Sequence, residues 1–244
     1  MDADRLERII KRVDPRGQPA VEIIKHAQTA GPRLGIFASS FNPPTVAHVE
    51  LVRRAAEAFA LDQVLTLTSS ANADKLSYET SLEDRLAMLI TALGGEARVS
   101  IGLSSHAFYV DLVEAIEHAY PPQTDLHFIV GFDTFERVLD PEDRYTRRYN
   151  RSFSGRVEAL GHLFARSSFI VASRAGAGID SVQKLIDREP AVPPDRVLYL
   201  GFPADLGELS ATEARNRLRA GEAITGLVPA PVEQYIKDHG LYTS

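Results

Sequence analysis

Short apolar runs recur along the chain at Leu34–Ala38, Val64–Leu67, Val99–Leu103, His127–Val130, Phe169–Ala172 and Val197–Leu200. Between them lie stretches with helical spacing of apolar residues, at Val46–Phe59, Leu82–Leu93, Val110–His118, Val157–Phe164, Ser181–Arg188 and Ala211–Arg219. A run that is apolar on both of its alternating faces suits a strand covered by helices on two sides, because neither face then meets water. Strands separated by helical crossovers return parallel to one another rather than as hairpins. The pattern therefore predicts an α/β fold built on a doubly wound parallel sheet. A closed barrel of the (β/α)8 type needs eight such units and more chain than remains.

Three segments stand outside this rhythm. Residues 1–32 form a leader that ends in the turn-like Gly31–Pro32, and Leu6, Ile9 and Ile10 fall on one face of a helix within it. Pro141–Arg156 is polar and rich in arginine, with Arg144, Arg147, Arg148, Arg151 and Arg156 beside two tyrosines. It reads as a solvated loop, with a cap on the site, a carboxylate site or a subunit contact as alternatives. The tail from Val228 carries Pro229 and Pro231 ahead of a last helix, Val232–His239, which Gly240 closes as a C′ residue. The expected division is a helical leader over 1–32 and one α/β domain over 33–244.

Composition narrows the function classes. The 244 residues are 44% hydrophobic, ample for a buried core, and contain no cysteine, so disulfides and thiolate metal sites are excluded. No apolar run is long enough to span a bilayer, and the N-terminus lacks the apolar core of a signal peptide. A cytoplasmic protein with no membrane partner is expected. A formal charge of −6 argues against bulk nucleic-acid binding, so any anionic ligand must be held by a few locally placed cations.

Two such places stand out. In Gly35-Ile-Phe-Ala-Ser-Ser-Phe-Asn-Pro-Pro-Thr-Val-Ala-His48 the first strand ends in a small-residue loop, two prolines turn the chain, and a helix begins near Thr45. Ligands of open α/β sheets gather at such strand ends, where a helix N-terminus favours phosphate. Ser39, Ser40 and Asn42 offer side-chain donors, and Thr45 and His48 share one side of the helix. The plainer reading makes Thr45 an N-cap and His48 a satisfied histidine. Far along the chain, Leu209-Ser-Ala-Thr-Glu-Ala-Arg215 follows the last strand. Ser210 with Glu213 has the capping-box pattern, and Arg215 sits in early helical turns, where a cation is disfavoured unless an anion is bound. Ser210, Thr212 and Arg215 make a triphosphate cradle, or an ordinary helix start.

The run GIFASSFNPPTVAH resembles the nucleotide-binding signature of the nicotinate- and nicotinamide-mononucleotide adenylyltransferases, with Thr45 where many members have histidine and Ala47 where many have glycine. LSATEAR resembles the same family's second motif, Ile-Ser-x-Thr-x-x-Arg, and the likeness runs on through Leu-Val-Pro to the closing His-Gly-Leu-Tyr. Weaker matches fall between them: Ala73-Asp-Lys75 before the helix with Arg85, Phe108-Tyr-Val-Asp-Leu112, Gly131-Phe-Asp133 and Phe169–Arg174.

The resemblance implies a Rossmann-like nucleotidyltransferase fold with a leader helix and a C-terminal helical extension. It also implies adenylyl transfer from ATP to a pyridine mononucleotide, with Mg²⁺ carried on the ATP phosphates. His48, Thr45 and Arg215 are then the catalytic set. Phe37, Ser39, Ser40, Phe41, Asn42, Asp133, Ser210 and Thr212 join Arg215 in binding ATP, with His48 on the α-phosphate. Lys75, Arg85 and Tyr109 bind the acceptor, and no metal is held by protein ligands. The chain has no tryptophan, which some members stack on the pyridine ring; Tyr109, Phe108, Phe132 and Phe135 are candidates for that place. A sibling reaction with another phosphate acceptor, a silent nucleotide-binding protein and a homo-oligomer all stay open.

Overall fold

The computed structural model describes residues 3–70, 79–173 and 178–243, with side-chain surroundings from residue 6 onward. Its strands are β1 (Val21–Lys25), β2 (Arg33–Ala38), β3 (Gln63–Ser69), β4 (Val99–Ser104), β5 (Asp125–Gly131), β6 (Ser167–Ala172) and β7 (Val197–Leu200). They form one seven-stranded sheet in the order β1-β4-β3-β2-β5-β6-β7. Strands β2 to β7 pair in parallel, while β1 runs antiparallel to β4. The helices are α1 (Ala3–Arg12), α2 (Val46–Ala58), α3 (Leu82–Leu93), α4 (Tyr109–Ala119), α5 (Phe132–Leu139), α6 (Arg156–Arg166), α7 (Ile179–Asp187), α8 (Ala204–Glu208), α9 (Ala211–Arg219) and α10 (Ala230–Asp238).

Side-chain alternation along the central strands separates two cores. Leu34 and Ile36 of β2 join Phe128, Val130, Phe169 and Val171 on one face, covered by Leu112, Val113 and Ile116 of α4 and Leu160 and Leu163 of α6. Phe37, Ile129 and Ile170 point the other way, against Leu51, Val52 and Ala55 of α2 and Leu89 and Leu93 of α3. Both faces are dry, which is why the strands read as unbroken apolar runs.

The expected doubly wound sheet is present, with elements that periodicity did not place. Strand β1 lies inside the leader; its five residues, VEIIK, are too few to show a period, and their partner β4 lies far along the chain. Ile24 of β1 packs with Leu6, Ile9 and Val13, so the leader docks its apolar face on Leu86 and Leu103. Helices α5 and α8 have eight and five residues and went unread for the same reason. At the other end, Gly240 has φ +60, Gly240 N–H donates to Lys237 O at 3.3 Å, and Leu241 N–H donates to Ile236 O at 3.1 Å. These two bonds are the Schellman closure expected of a C′ glycine.

Strand order positions the site. β2 neighbours β3 on one side and β5 on the other, so the connections leave its carboxyl end in opposite directions and open a crevice there. Gly35 lets β2 sit under that crevice. A Cβ at Gly35 would lie 2.7 Å from Leu61 Cδ1 and 3.1 Å from Ile129 Cδ1. Gly35→Ala is expected to destabilise the fold by about 1–3 kcal/mol through overpacking. A urea midpoint equal to that of the unsubstituted chain would count against this packing.

Candidate active site

Above the carboxyl ends of β2 and β5 lies a cavity of about 270 Å³. Its walls include Phe37, Ser39 and Ser40 after β2, Thr45, Ala47 and His48 of the α2 start, and Ile129 to Gly131 at the end of β5. Tyr109 of α4, Thr134 and Arg137 of α5, Ser173, Phe202, and Leu209 to Ala211 complete it.

His48 is held on several sides. Its ring lies 5.7 Å from that of Phe37 and 5.3 Å from that of Phe41, which is fully buried. Thr45 N–H donates to Nδ1 at 2.9 Å, and the Thr45 hydroxyl lies 2.8 Å from the same nitrogen. An amide N–H can only donate, so Nδ1 presents its lone pair and the ring proton is assigned to Nε2. That nitrogen lies 3.4 Å from Ser39 Oγ at the cavity wall. Thr45 is both the N-cap of α2 and half of a capping box whose other half is His48 itself.

The second motif reaches the first directly. Arg215 is 8% exposed, and its Nη1 donates to Asn42 O at 2.6 Å, a bond spanning 173 residues. Nη2 donates to Thr212 Oγ1 at 3.1 Å. Ser210 caps α9 by accepting from Glu213 N–H at 3.1 Å. The Glu213 carboxylate takes Arg217 at 2.6 Å instead of closing the reciprocal capping box. From the tail, Tyr242 donates its hydroxyl to Asn42 Oδ1 at 2.6 Å, and Val46 N–H donates to Leu227 O at 3.0 Å.

Residues 36–171 match the cytidylyltransferase-like family model. A Gemmatimonas aurantiaca protein named "Probable nicotinate-nucleotide adenylyltransferase" is 30% identical over 218 residues, covering 86% of this chain and 92% of the relative. A Gloeobacter violaceus protein of the same name is also 30% identical, over 87% of this chain and 97% of its own. The chain belongs to the nicotinate-nucleotide adenylyltransferase family. Plasmodium falciparum nicotinic acid mononucleotide adenylyltransferase complexed with NaAD shares the fold at TM-score 0.64 and 18% identity, over 87% of this chain and 98% of that one.

Within this family frame, several residues sit differently from expectation. The first helix N-terminus does not offer a simple cradle of amides, because Thr45 N–H serves His48 and Val46 N–H serves Leu227. Asn42 is 3% exposed and its amide oxygen is taken by Tyr242, so it braces the loop from within. Thr45 is 1% exposed, with its hydroxyl against the imidazole. Arg85, expected on the acceptor, is buried beneath the loop, where Nη1 donates to Ser40 O and to Thr68 Oγ1, both at 3.2 Å. Asp133 is exposed in the first turn of α5, outside the cavity lining, and Gly131 holds the N-cap position. Lys75 lies outside the described residues. Phe135 is fully buried core and Phe132 packs against that core, whereas Tyr109 reaches the cavity. Burial among Phe128 and Phe169 pushes the Tyr109 phenol well above its ordinary pKa, so it stays a neutral donor. Arg137 and Phe202 were missed, because no motif marks them and only the fold brings them to the cavity; Ser173 lies within the Phe169–Arg174 match but was not singled out.

The arginine-rich segment is better anchored than a solvated loop. Asp140, 2% exposed, accepts from Arg144 N–H at 2.7 Å and Tyr145 N–H at 2.9 Å. Asp111 of α4 is fully buried and accepts from Asn150 N–H at 2.9 Å through Oδ1. Its Oδ2 has no hydrogen-bond partner among the described residues. Burial pushes the Asp111 carboxyl up to about 6 from an ordinary 3.8, with neighbouring Glu114 adding to the rise and the Asn150 amide opposing it. Between those values the folded state keeps a proton that the unfolded chain has lost, so the contribution of Asp111 to stability falls as pH rises through that window. Asp111→Asn removes the titration. The difference in unfolding free energy, Asp111 chain minus Asn variant, is expected to decline by on the order of 1–3 kcal/mol between pH 4 and pH 7. Denaturant titrations giving a difference independent of pH would contradict this placement.

Proposed function

We propose that this chain transfers the adenylyl group of ATP to the 5′-phosphate of nicotinate mononucleotide, forming the dinucleotide and releasing pyrophosphate. The observation that carries this reading is the convergence of the His48 imidazole and the Arg215 guanidinium on one loop at the sheet's switch point, in a family of that name.

A phosphate monoester has its second pKa near 6, so the acceptor oxygen is already ionised at neutral pH and needs no general base. The acceptor oxygen forms a bond to the α-phosphorus while the bond to the α–β bridging oxygen breaks, and the electron pair leaves with pyrophosphate. The work left to the protein is to hold two anions in line and to neutralise the charge that builds on the transferred group. His48 suits the α-phosphate, because the amide of Thr45 fixes the tautomer whose Nε2–H points at the cavity. Thr45 acts through His48 as a positioning residue. Ser39 and Ser40 offer hydroxyls beside it, and Ser210, Thr212 and Arg215 serve the β- and γ-phosphates from α9. Phe202 and the Ile129–Gly131 strand end form the wall suited to the base and ribose.

The cavity's side-chain polar groups are hydroxyls, the His48 imidazole and the Arg137 guanidinium, which suit phosphate oxygens rather than a cation. Among the described residues no group of three or more His, Asp or Glu side chains could hold a metal ion. That donor set fits a Mg²⁺ that arrives on ATP with water and phosphate as its ligands, where it supplies charge neutralisation on the phosphate chain. No described helix is long and apolar enough to cross a membrane. We place the enzyme in the cytoplasm, where ATP is made.

Pyrophosphate release should be measured with ATP or CTP against nicotinate mononucleotide, nicotinamide mononucleotide and phosphopantetheine. Turnover is expected with ATP and a pyridine mononucleotide; turnover only with phosphopantetheine, or with none of the three, would refute the reading. Removing a preorganised donor to a reacting phosphate costs about 3–4 kcal/mol, so His48→Ala should lower kcat at least about a hundredfold. The thermal midpoint should stay close to that of the unsubstituted protein. Near-unaltered turnover in the variant would remove His48 from the mechanism.

A further inference from the structure

Arg215 carries its charge in a place with little water. Its side chain is 10% exposed, and a buried guanidinium needs an opposite charge as well as acceptors for its donors. Two of its nitrogens are met by neutral oxygens, Nη1 by the Asn42 carbonyl and Nη2 by the Thr212 hydroxyl. The third, Nε, is buried and makes no hydrogen bond among the described residues. The described carboxylate within ion-pair reach is that of Glu79, whose Oε2 lies 3.9 Å from Nε. Glu213, the acid closest to Arg215 in sequence, has its carboxylate on Arg217.

Glu79 is held more loosely than the other groups around Arg215. It sits in the bend ahead of Ser81, the N-cap of α3, and its side chain is 47% exposed. Its Oε1 accepts from Arg219 Nη2 on the last turn of α9. Arg219 is steadied in turn by Asn216 Oδ1, to which Nη1 donates at 2.9 Å. At 3.9 Å, Oε2 makes a charge contact with Arg215 and no hydrogen bond. The carboxylate can therefore withdraw from Arg215 toward water while Arg219 keeps it anchored.

In the adenylyl-transfer reading Arg215 meets the β- and γ-phosphates, and the pyrophosphate formed from them must then leave. A carboxylate fixed against the guanidinium would repel both ligands. A guanidinium with no counter-ion would destabilise the nucleotide-free protein and hold pyrophosphate back. A loosely held carboxylate avoids both faults. We propose that Glu79 is an exchangeable counter-ion of Arg215, which yields to the phosphates when ATP binds and returns as pyrophosphate departs. Glu79 is thus a positioning residue that acts through Arg215. This rests on the adenylyl-transfer reading and adds the residue that sets how tightly its donor and its leaving group are held.

The test is calorimetric titration of the full-length protein with ATP and, separately, with pyrophosphate, each with Mg²⁺. Glu79→Gln, Glu79→Asp and Glu222→Gln are titrated alongside. Glutamine keeps an oxygen for Arg219 but removes the charge that competes with phosphate. A carboxylate within a Debye length of a polyanion is only partly screened, so Glu79→Gln should bind both ligands about threefold to tenfold more tightly. Glu79→Asp keeps the charge and should stay closer to the unsubstituted protein than to Glu79→Gln. Glu222→Gln removes the same charge two residues past the C-cap of α9 and should leave both affinities unchanged.

Thermal midpoints separate this role from a merely structural one. Without ligand, Glu79→Gln should melt below the unsubstituted protein, because its buried guanidinium has lost its counter-ion. Saturating pyrophosphate should close that gap, because the exchanged pair is then broken in both proteins. A structural role lowers both midpoints equally. Equal or weaker pyrophosphate binding by Glu79→Gln would overturn the inference. So would a matching gain in Glu222→Gln, which marks an effect of net charge, or a midpoint deficit that pyrophosphate leaves in place. An unsubstituted protein that binds neither ATP nor pyrophosphate would remove the adenylyl-transfer reading and this inference with it. One that binds both, with affinities unaltered in Glu79→Gln, would remove the inference alone.

Discussion

A single hydrogen bond ties the architecture of this molecule to its chemistry: the Arg215 guanidinium donating to the Asn42 carbonyl. The two residues sit on elements that the sheet brings together but that share no local sequence. A buried guanidinium is costly unless its donors are met, and here Nη1 is met by the backbone of the loop and Nη2 by Thr212, while Nε lies 3.9 Å from the Glu79 carboxylate. The tail reinforces the closure, since Tyr242 fills the Asn42 amide oxygen and Leu227 takes the first free amide of α2. The C-terminal helices are in this sense part of the active-site floor. Their apolar cluster, with Val228, Val232 and Ile236 against Met88 of α3, holds α9 and Arg215 in register with the first loop.

The same economy governs His48. Its tautomer is chosen by an amide, its ring is wedged between two phenylalanines, and its own N–H caps the helix through Thr45. Structural capping and chemistry are therefore one device. The N-cap reading of Thr45 and the proposed phosphate role of His48 are compatible: Thr45 caps the helix and holds the imidazole beside the cavity. Arg85 shows a related division of labour, supporting the Ser40 carbonyl from below while Arg215 supports that of Asn42 from the side.

What could be read from sequence follows from the physics of each element. Strands buried on both faces announce themselves as continuous apolar runs, and all six parallel strands were legible that way. Strand β1 was not, because an edge strand of five residues carries no period and its pairing with β4 is non-local. The glycine, the phenylalanines and the histidine of the first loop were legible because their spacing encodes a strand, a turn and a helix start. The placements of Asn42 and Arg85 were not, because residue type does not say whether a polar group faces a ligand or a neighbour, whereas the capping place of Thr45 was one of the two readings its position offered. Arg137 and Phe202 carry no motif and reach the cavity through strand order. The segment from Pro141 to Arg156 looked solvated by composition, yet its anchors Asp111 and Asp140 lie outside or at the edge of the arginine run.

The proposed chemistry requires two remote segments to grip one triphosphate, and hydrogen exchange resolved to peptides reads this most directly. Addition of ATP with Mg²⁺ is expected to slow amide exchange both in Ser39–His48 and in Ser210–Arg215, with the same dependence on ATP concentration. Protection of only one of the two, or of the two at clearly different ATP concentrations, would contradict a shared phosphate pocket.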